Sequence, residues 1–130
     1  MTAWIWVDPK IVIALHDEQI TEHGGQSGIR DQGLLESALA RPVNKAGYEK
    51  STNAELAAAY GFGIAKNHPF LDGNKRTALV VTELFLILNG YMLGANDASC
   101  LATFLGLADG TFSEEDLSDW LSKNIDQHEK

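Results

Sequence analysis

Cysteine is almost absent from this sequence of 130 residues, Cys100 being the single one. One thiol cannot close an internal disulfide or build a multi-cysteine metal site, so nothing ties the chain to an oxidising compartment. The expectation for Cys100 is a small buried apolar side chain. Positive charge is scarce as well. The chain has 10 Lys and Arg against 18 Asp and Glu, a net charge of −8 with a pI near 4.8, and such a field repels phosphate backbones and anionic lipid. Neither a nucleic acid nor a membrane surface is expected as a partner, and an anionic ligand needs a local basic spot. Long apolar runs are missing too. The densest stretch, around Leu84 to Leu88, falls short of the roughly 20 residues that cross a bilayer. The start, MTAWIWVDPK, lacks a basic region followed by an apolar stretch and a small-residue cleavage site. Repeats, low-complexity tracts and long linkers are also lacking, so a soluble cytoplasmic protein with a single domain over residues 1–130 is expected.

Strand-like alternation is rare, and what remains reads as helix. Asp8 and Pro9 form an N-cap and first-turn pair, Ile11, Val12, Ala14 and Leu15 follow at helical spacing, and Gly24-Gly25 ends the segment. A second helix is predicted from about Gln32 to Ala40, stopping at Arg41-Pro42. Thr52 and Glu55 suggest a capping box for a third, which fades at Asn67. A fourth, from about Asn74 to Asn89, is apolar on nearly every side between Leu79 and Leu88, as a central buried helix would be. Asp97 is read as the cap of a fifth helix, and Ser113 with Asp116 as the cap of a sixth that runs through Ile125. The fold class is all-α, a compact arrangement of about six helices, with a short strand or hairpin expected at Trp4 to Val7 or at Gly24 to Arg30.

The segment Asn67-His68-Pro69-Phe70-Leu71-Asp72-Gly73-Asn74-Lys75-Arg76-Thr77 does not read as packing. Pro69 and Gly73 bracket a turn, so its polar groups gather at the N-terminus of the fourth helix. Free backbone N–H groups and the positive end of the helix dipole make an anion site there, and Gly73 lets the backbone approach a phosphate closely. Lys75 and Arg76 are unfavourable for the helix itself, so their presence makes better sense if a polyanion binds. Asp72, a hard carboxylate among these cations, suits magnesium shared with phosphate oxygens. His68 can accept a proton from an attacking hydroxyl near neutral pH. Phe70 is expected to anchor the loop in the core. Taken singly, each has an ordinary structural explanation: a lone His is often structural, a lone Asp can cap a helix, and a Lys-Arg pair is usually a solvated face. Together they specify phosphate-transfer chemistry. A metal centre built on His68 and Asp72 has too few ligands for closed zinc without His16 or His23, and no G-x-x-x-x-G-K-[ST] loop occurs.

The run from His68 to Arg76 resembles the Fic motif, H-P-F-x-[D/E]-G-N-[G/K]-R. Leu15-His16-Asp17, the Gly24-Gly25 turn, Gly33-Leu34-Leu35-Glu36 and Arg41-Pro42 are further similar to the Doc (death on curing) branch, so the resemblance extends from about Asp8 to Leu121. It implies a compact helical fold and transfer of part of a nucleoside triphosphate, ATP, to a protein hydroxyl. In that frame His68 is the catalytic base, Asp72 holds Mg2+, Gly73 and Asn74 supply the anion cradle, and Lys75 and Arg76 neutralise the phosphate chain. Lys66, two residues before His68, is placed to reach phosphate, a solvated lysine being the alternative. The Gly24 to Arg30 stretch corresponds to the flap that aligns a target segment by main-chain pairing, or else to a solvated turn.

Two departures bear on the reaction. AMP-transferring Fic enzymes mostly carry Gly where this chain has Lys75, and many carry a second Arg where it has Leu79. In the Doc branch the first change accompanies a nucleotide that presents its γ-phosphoryl. The resemblance therefore implies a toxin that phosphorylates a Ser or Thr hydroxyl of a translation factor, elongation factor Tu, with an AMP transferase or a degenerate non-catalytic nucleotide- or partner-binding module as alternatives. Gly73 agrees with the general Fic pattern where the best-known Doc motif has Ala. An internal inhibitory [S/T]-x-x-x-E-[G/N] helix is not expected, because Thr111 to Asp116 and Ser51 to Leu56 lack its last residue. A separate small antitoxin that folds on binding is expected instead.

Overall fold

The computed structural model describes residues 3 to 127, and among them are six helices and one two-stranded sheet. Helix α1 (Pro9–His23) starts where the Asp8 side chain accepts the Lys10 N–H, and ends at Gly24, whose φ of 80° an L side chain rarely adopts. Its buried face is Val12, His16 and Gln19, so two of its three inward residues are polar.

Helix α2 (Gln32–Tyr48) is capped by Asp31 and does not stop at Arg41-Pro42 as predicted; Pro42 lies inside it. Pro42 costs a hydrogen bond to the Ala38 carbonyl, but Leu35, Ala38 and Pro42 are all buried on one stripe, and continuing that stripe against the next helix outweighs the lost bond. That next helix, α3 (Asn53–Asn67), has the predicted Thr52/Glu55 capping box with both reciprocal bonds made. It is rich in alanine and glycine, and ten of its residues are buried. Small side chains let α2, α4, α5 and α6 all pack against it. A Cβ at Gly61 would lie 2.8 Å from Thr82 Oγ1 and 2.9 Å from Phe104, and one at Gly63 would lie 3.2 Å from the Ala38 carbonyl oxygen.

Helix α4 (Asn74–Leu88) is central as expected, with Ala78, Val81, Thr82, Phe85 and Leu86 buried, although Ile87 and Leu88 at its end are exposed. Helix α5 (Asp97–Asp109) is capped by Asn96 rather than Asp97, whose place is the first helical position. Asn96 Oδ1 accepts the Ser99 N–H at 2.8 Å, and Asp97 adds the favourable first-turn charge instead. Helix α6 (Glu114–Asn124) has the predicted Ser113/Asp116 capping box. It ends one residue short of expectation, because Ile125 opens strand β2 (Ile125–Gln127), antiparallel to β1 (Tyr91–Leu93).

Neither expected strand forms. Trp4 to Val7 is extended but pairs with side chains: Asn89 binds both the N–H and the carbonyl of Ile5 at 2.9 Å, and the Tyr60 hydroxyl accepts the Val7 N–H at 3.0 Å. Trp6 stacks on Phe85 and tilts against Tyr60, closing the core at that end. The Gly24 to Arg30 stretch makes a single bridge, Ile29 with Phe70. Cys100 is buried as anticipated, and burial together with the carboxylates of Glu83 and Asp97 pushes its thiol up. No helix among the described residues is long and apolar enough to cross a membrane.

Candidate active site

The loop from His68 to Gly73 joins the two most central helices, α3 and α4. Its anchor is Phe70, which is 1% exposed and stacks face to face on the buried ring of His16, with centroids 3.8 Å apart and planes 8° apart. His16 Nε2 donates to the Asp72 carbonyl at 2.8 Å, which fixes its tautomer because a carbonyl can only accept. His16 is thus a prop beneath the loop. Among the described residues no three His, Cys, Asp or Glu side chains converge as a metal centre.

Asn74 holds the loop from the other side. Its Oδ1 accepts the Phe70 N–H at 2.9 Å and its Nδ2 donates to the Phe70 carbonyl at 3.0 Å, with the same Nδ2 3.5 Å from His68 Nδ1. The Asn74 side chain is therefore spent on the loop, and what it offers a ligand is its backbone N–H. Helix α4 begins after Gly73, at φ 76°, with no side-chain cap, and Thr77 is the first residue to bond back, to the Gly73 carbonyl. The N–H groups of Asn74, Lys75 and Arg76 consequently have no helical partner.

These N–H groups open on a cleft of about 430 Å³, lined by Asp72 to Arg76, the Gly24-Gly25 turn, and Gln19 and His23 of α1. Five of the predicted residues, Asp72, Gly73, Asn74, Lys75 and Arg76, meet there. A larger groove of about 910 Å³ between α2 and α6 contains none of them. His68 stands beside the cleft, in the left-handed cap position of α3 (φ 49°, ψ 55°). Although His68 is exposed, partial desolvation first, then the cations of Lys75, Arg30 and Lys66, lower its pKa from the usual histidine value of 6.5, which favours the neutral, proton-accepting ring. Lys66 is exposed in the last turn of α3 and does not line the cleft.

The stretch from Gly24 to Arg30 is docked on this loop. The Arg30 and Asp31 N–H groups both donate to the Pro69 carbonyl, at 2.7 and 3.1 Å, and the Leu71 N–H donates to the Gly28 carbonyl at 3.1 Å. The Gln26 N–H reaches Asp72 Oδ2 at 2.7 Å. A Cβ at Gly25 would lie 3.1 Å from that of Asp72, so glycine permits the close approach. Sequence reasoning gave no separate role to Gln26 or Arg30, since neither belongs to the motif. The glycines on either side were the available signal that this segment lies close to something.

A family model described as the Fic/DOC family matches residues 6–86. The chain is 37% identical over 119 residues to the "Protein kinase doc" of Escherichia phage P1, covering 90% of this chain and 93% of that one. It is 42% identical over 76 residues to the "Toxin Doc" of Mycolicibacterium smegmatis, covering 56% of this chain and 58% of that one.

Proposed function

The chain belongs to the Fic/Doc family, and from that premise we propose that it is a Doc-type toxin, an ATP-dependent protein kinase acting on a Ser or Thr hydroxyl of elongation factor Tu and so arresting protein synthesis in the cytoplasm. The observation that carries this reading is the His68 imidazole placed 3.5 Å from the first residue of an uncapped, cation-bearing helix start, whose charge favours the neutral ring. Binding alone needs no base.

The donor set fits a triphosphate. Three unpartnered backbone N–H groups and the charges of Lys75 and Arg76 offer what phosphate oxygens accept, and the left-handed Gly73 leaves no side chain in the way. Asp72 uses one oxygen on Gln26, so the second is the one available to a cation. Mg2+ held there would neutralise charge on the phosphate chain. His68 would take the proton of the acceptor hydroxyl as its oxygen bonds to the γ-phosphorus. The bond from that phosphorus to the β-phosphate oxygen breaks, and ADP leaves. Lys75 and Arg76 stabilise the charge that develops on the transferred group. Lys66, outside the cleft, adds its charge at His68. The name of the phage P1 relative and Lys75, in place of the glycine usual in AMP transferases, both favour phosphoryl over AMP transfer. A small antitoxin that folds on this chain is the partner this reading expects.

The test uses elongation factor Tu with ATP labelled at either the α or the γ phosphate. Label arriving from γ, and lost in His68→Ala while ATP affinity stays nearly intact, is the expected result. Label from the α position would turn the assignment to AMP transfer.

A further inference from the structure

Helix α3 ends with carbonyl groups that no helical N–H can reach. Arg30 takes two of them. Its Nε donates to the His68 carbonyl at 2.6 Å and its Nη2 to the Asn67 carbonyl at 2.8 Å, while its own backbone N–H donates to the Pro69 carbonyl at 2.7 Å. One residue thus binds three consecutive carbonyls, with His68 in the middle. His68 is the only non-glycine residue with positive φ among those described. Such a conformation costs about 1 to 2 kcal/mol for an L residue and persists only where the surroundings hold it. A guanidinium at a helix C-terminus also meets the negative end of the dipole. Arg30 itself is exposed, so its side chain does not hold up the core.

We propose that Arg30 is a positioning residue for His68: by closing the end of α3 it fixes the left-handed backbone from which the imidazole projects. This rests on His68 as the base and adds what aims it. The charged groups facing His68 are Lys66 of α3, Lys75 of α4 and Arg30, with the neutral Asn74 amide 3.5 Å away. Removing Arg30 therefore takes away one of three cations as well as the fork.

Arg30→Met and Arg30→Lys in the full chain separate these effects, with NMR titration of the His68 ring in the free protein and transfer of γ-label from ATP to elongation factor Tu as readouts. In Arg30→Met, His68 is expected to titrate at higher pH than in the parent. Its kcat should fall about 10- to 100-fold, as a misaimed catalytic group predicts, with KM for ATP changing less than about twofold. Arg30→Lys keeps the charge without the planar fork. It should titrate like the parent and still lose about tenfold in kcat, and it serves as the test should the Met variant not fold. An unchanged kcat in both variants, whatever the titration, or a kcat loss matched by an equal rise in KM for ATP, would overturn the proposal. If His68→Ala transferred label as fast as the parent, the kinase reading would fall, while the backbone chemical shifts of His68 in Arg30→Lys would still decide whether the fork holds its left-handed conformation.

Discussion

Asn74 spends its side chain on the loop and its backbone on the site, which makes it more sensitive to substitution than its place in an anion cradle suggests. Asn74→Ala leaves the N–H and the carbonyl of the buried Phe70 without partners. A cost of about 2 kcal/mol is expected in urea denaturation, together with a loss of transfer activity beyond what lower stability explains. His68 gives a second expectation at this scale. Because partial desolvation and three cations hold its pKa below 6.5, the neutral, proton-accepting form persists as pH falls through that value. The pH–rate profile should therefore reach half its maximum below 6.5, the value at which an unperturbed histidine is already half protonated. A profile that is half-maximal at or above 6.5 would contradict the environment described for the ring.

The crossing of α2 over α3 shows how much of an element its sequence announces. The starts were legible wherever a side chain caps a backbone N–H, as at Asp8, Thr52 and Ser113, because that chemistry is local. The end of α2 was not, because the reason to run past Pro42 lies in α3, where Gly63 brings the Ala38 backbone within contact distance. The same holds at the site. The motif residues from Asp72 to Arg76 were legible as a contiguous run, but Arg30 and Gln26 act from a segment about forty positions away, and only the fold brings them there. The β1 and β2 pairing was invisible for a related reason, each strand being three residues long. Gly63→Ala tests the crossing directly. Alanine is the better helix former by about 1 kcal/mol, yet its Cβ would press on backbone that cannot turn aside. A net destabilisation of about 1 to 3 kcal/mol in thermal or urea unfolding is expected.

Across the whole molecule, the net charge of −8 is unevenly spread. Helix α6 opens with Glu114, Glu115 and Asp116, while Lys66, Lys75 and Arg76 gather about the motif loop. Glu114 is joined to Arg41 and so pairs α6 with α2, while Glu49 pairs with Lys45 at the C-terminal end of α2 itself. The site itself is assembled from two parts that are held very differently. His68 caps α3, whose residues from Ala57 to Ala59 are fully buried and which packs against four other helices. Residues 24 to 31 are exposed throughout and are held mainly by bonds to the loop. In native-state hydrogen exchange the amides of α3 should therefore open only with global unfolding, and those of Arg30 and Asp31 by a cheaper local excursion. The catalytic base and the segment that aims it thus belong to different cooperative units. Mild denaturant should silence the enzyme before it unfolds the protein, and the gap between the two midpoints would measure how loosely the second unit is held.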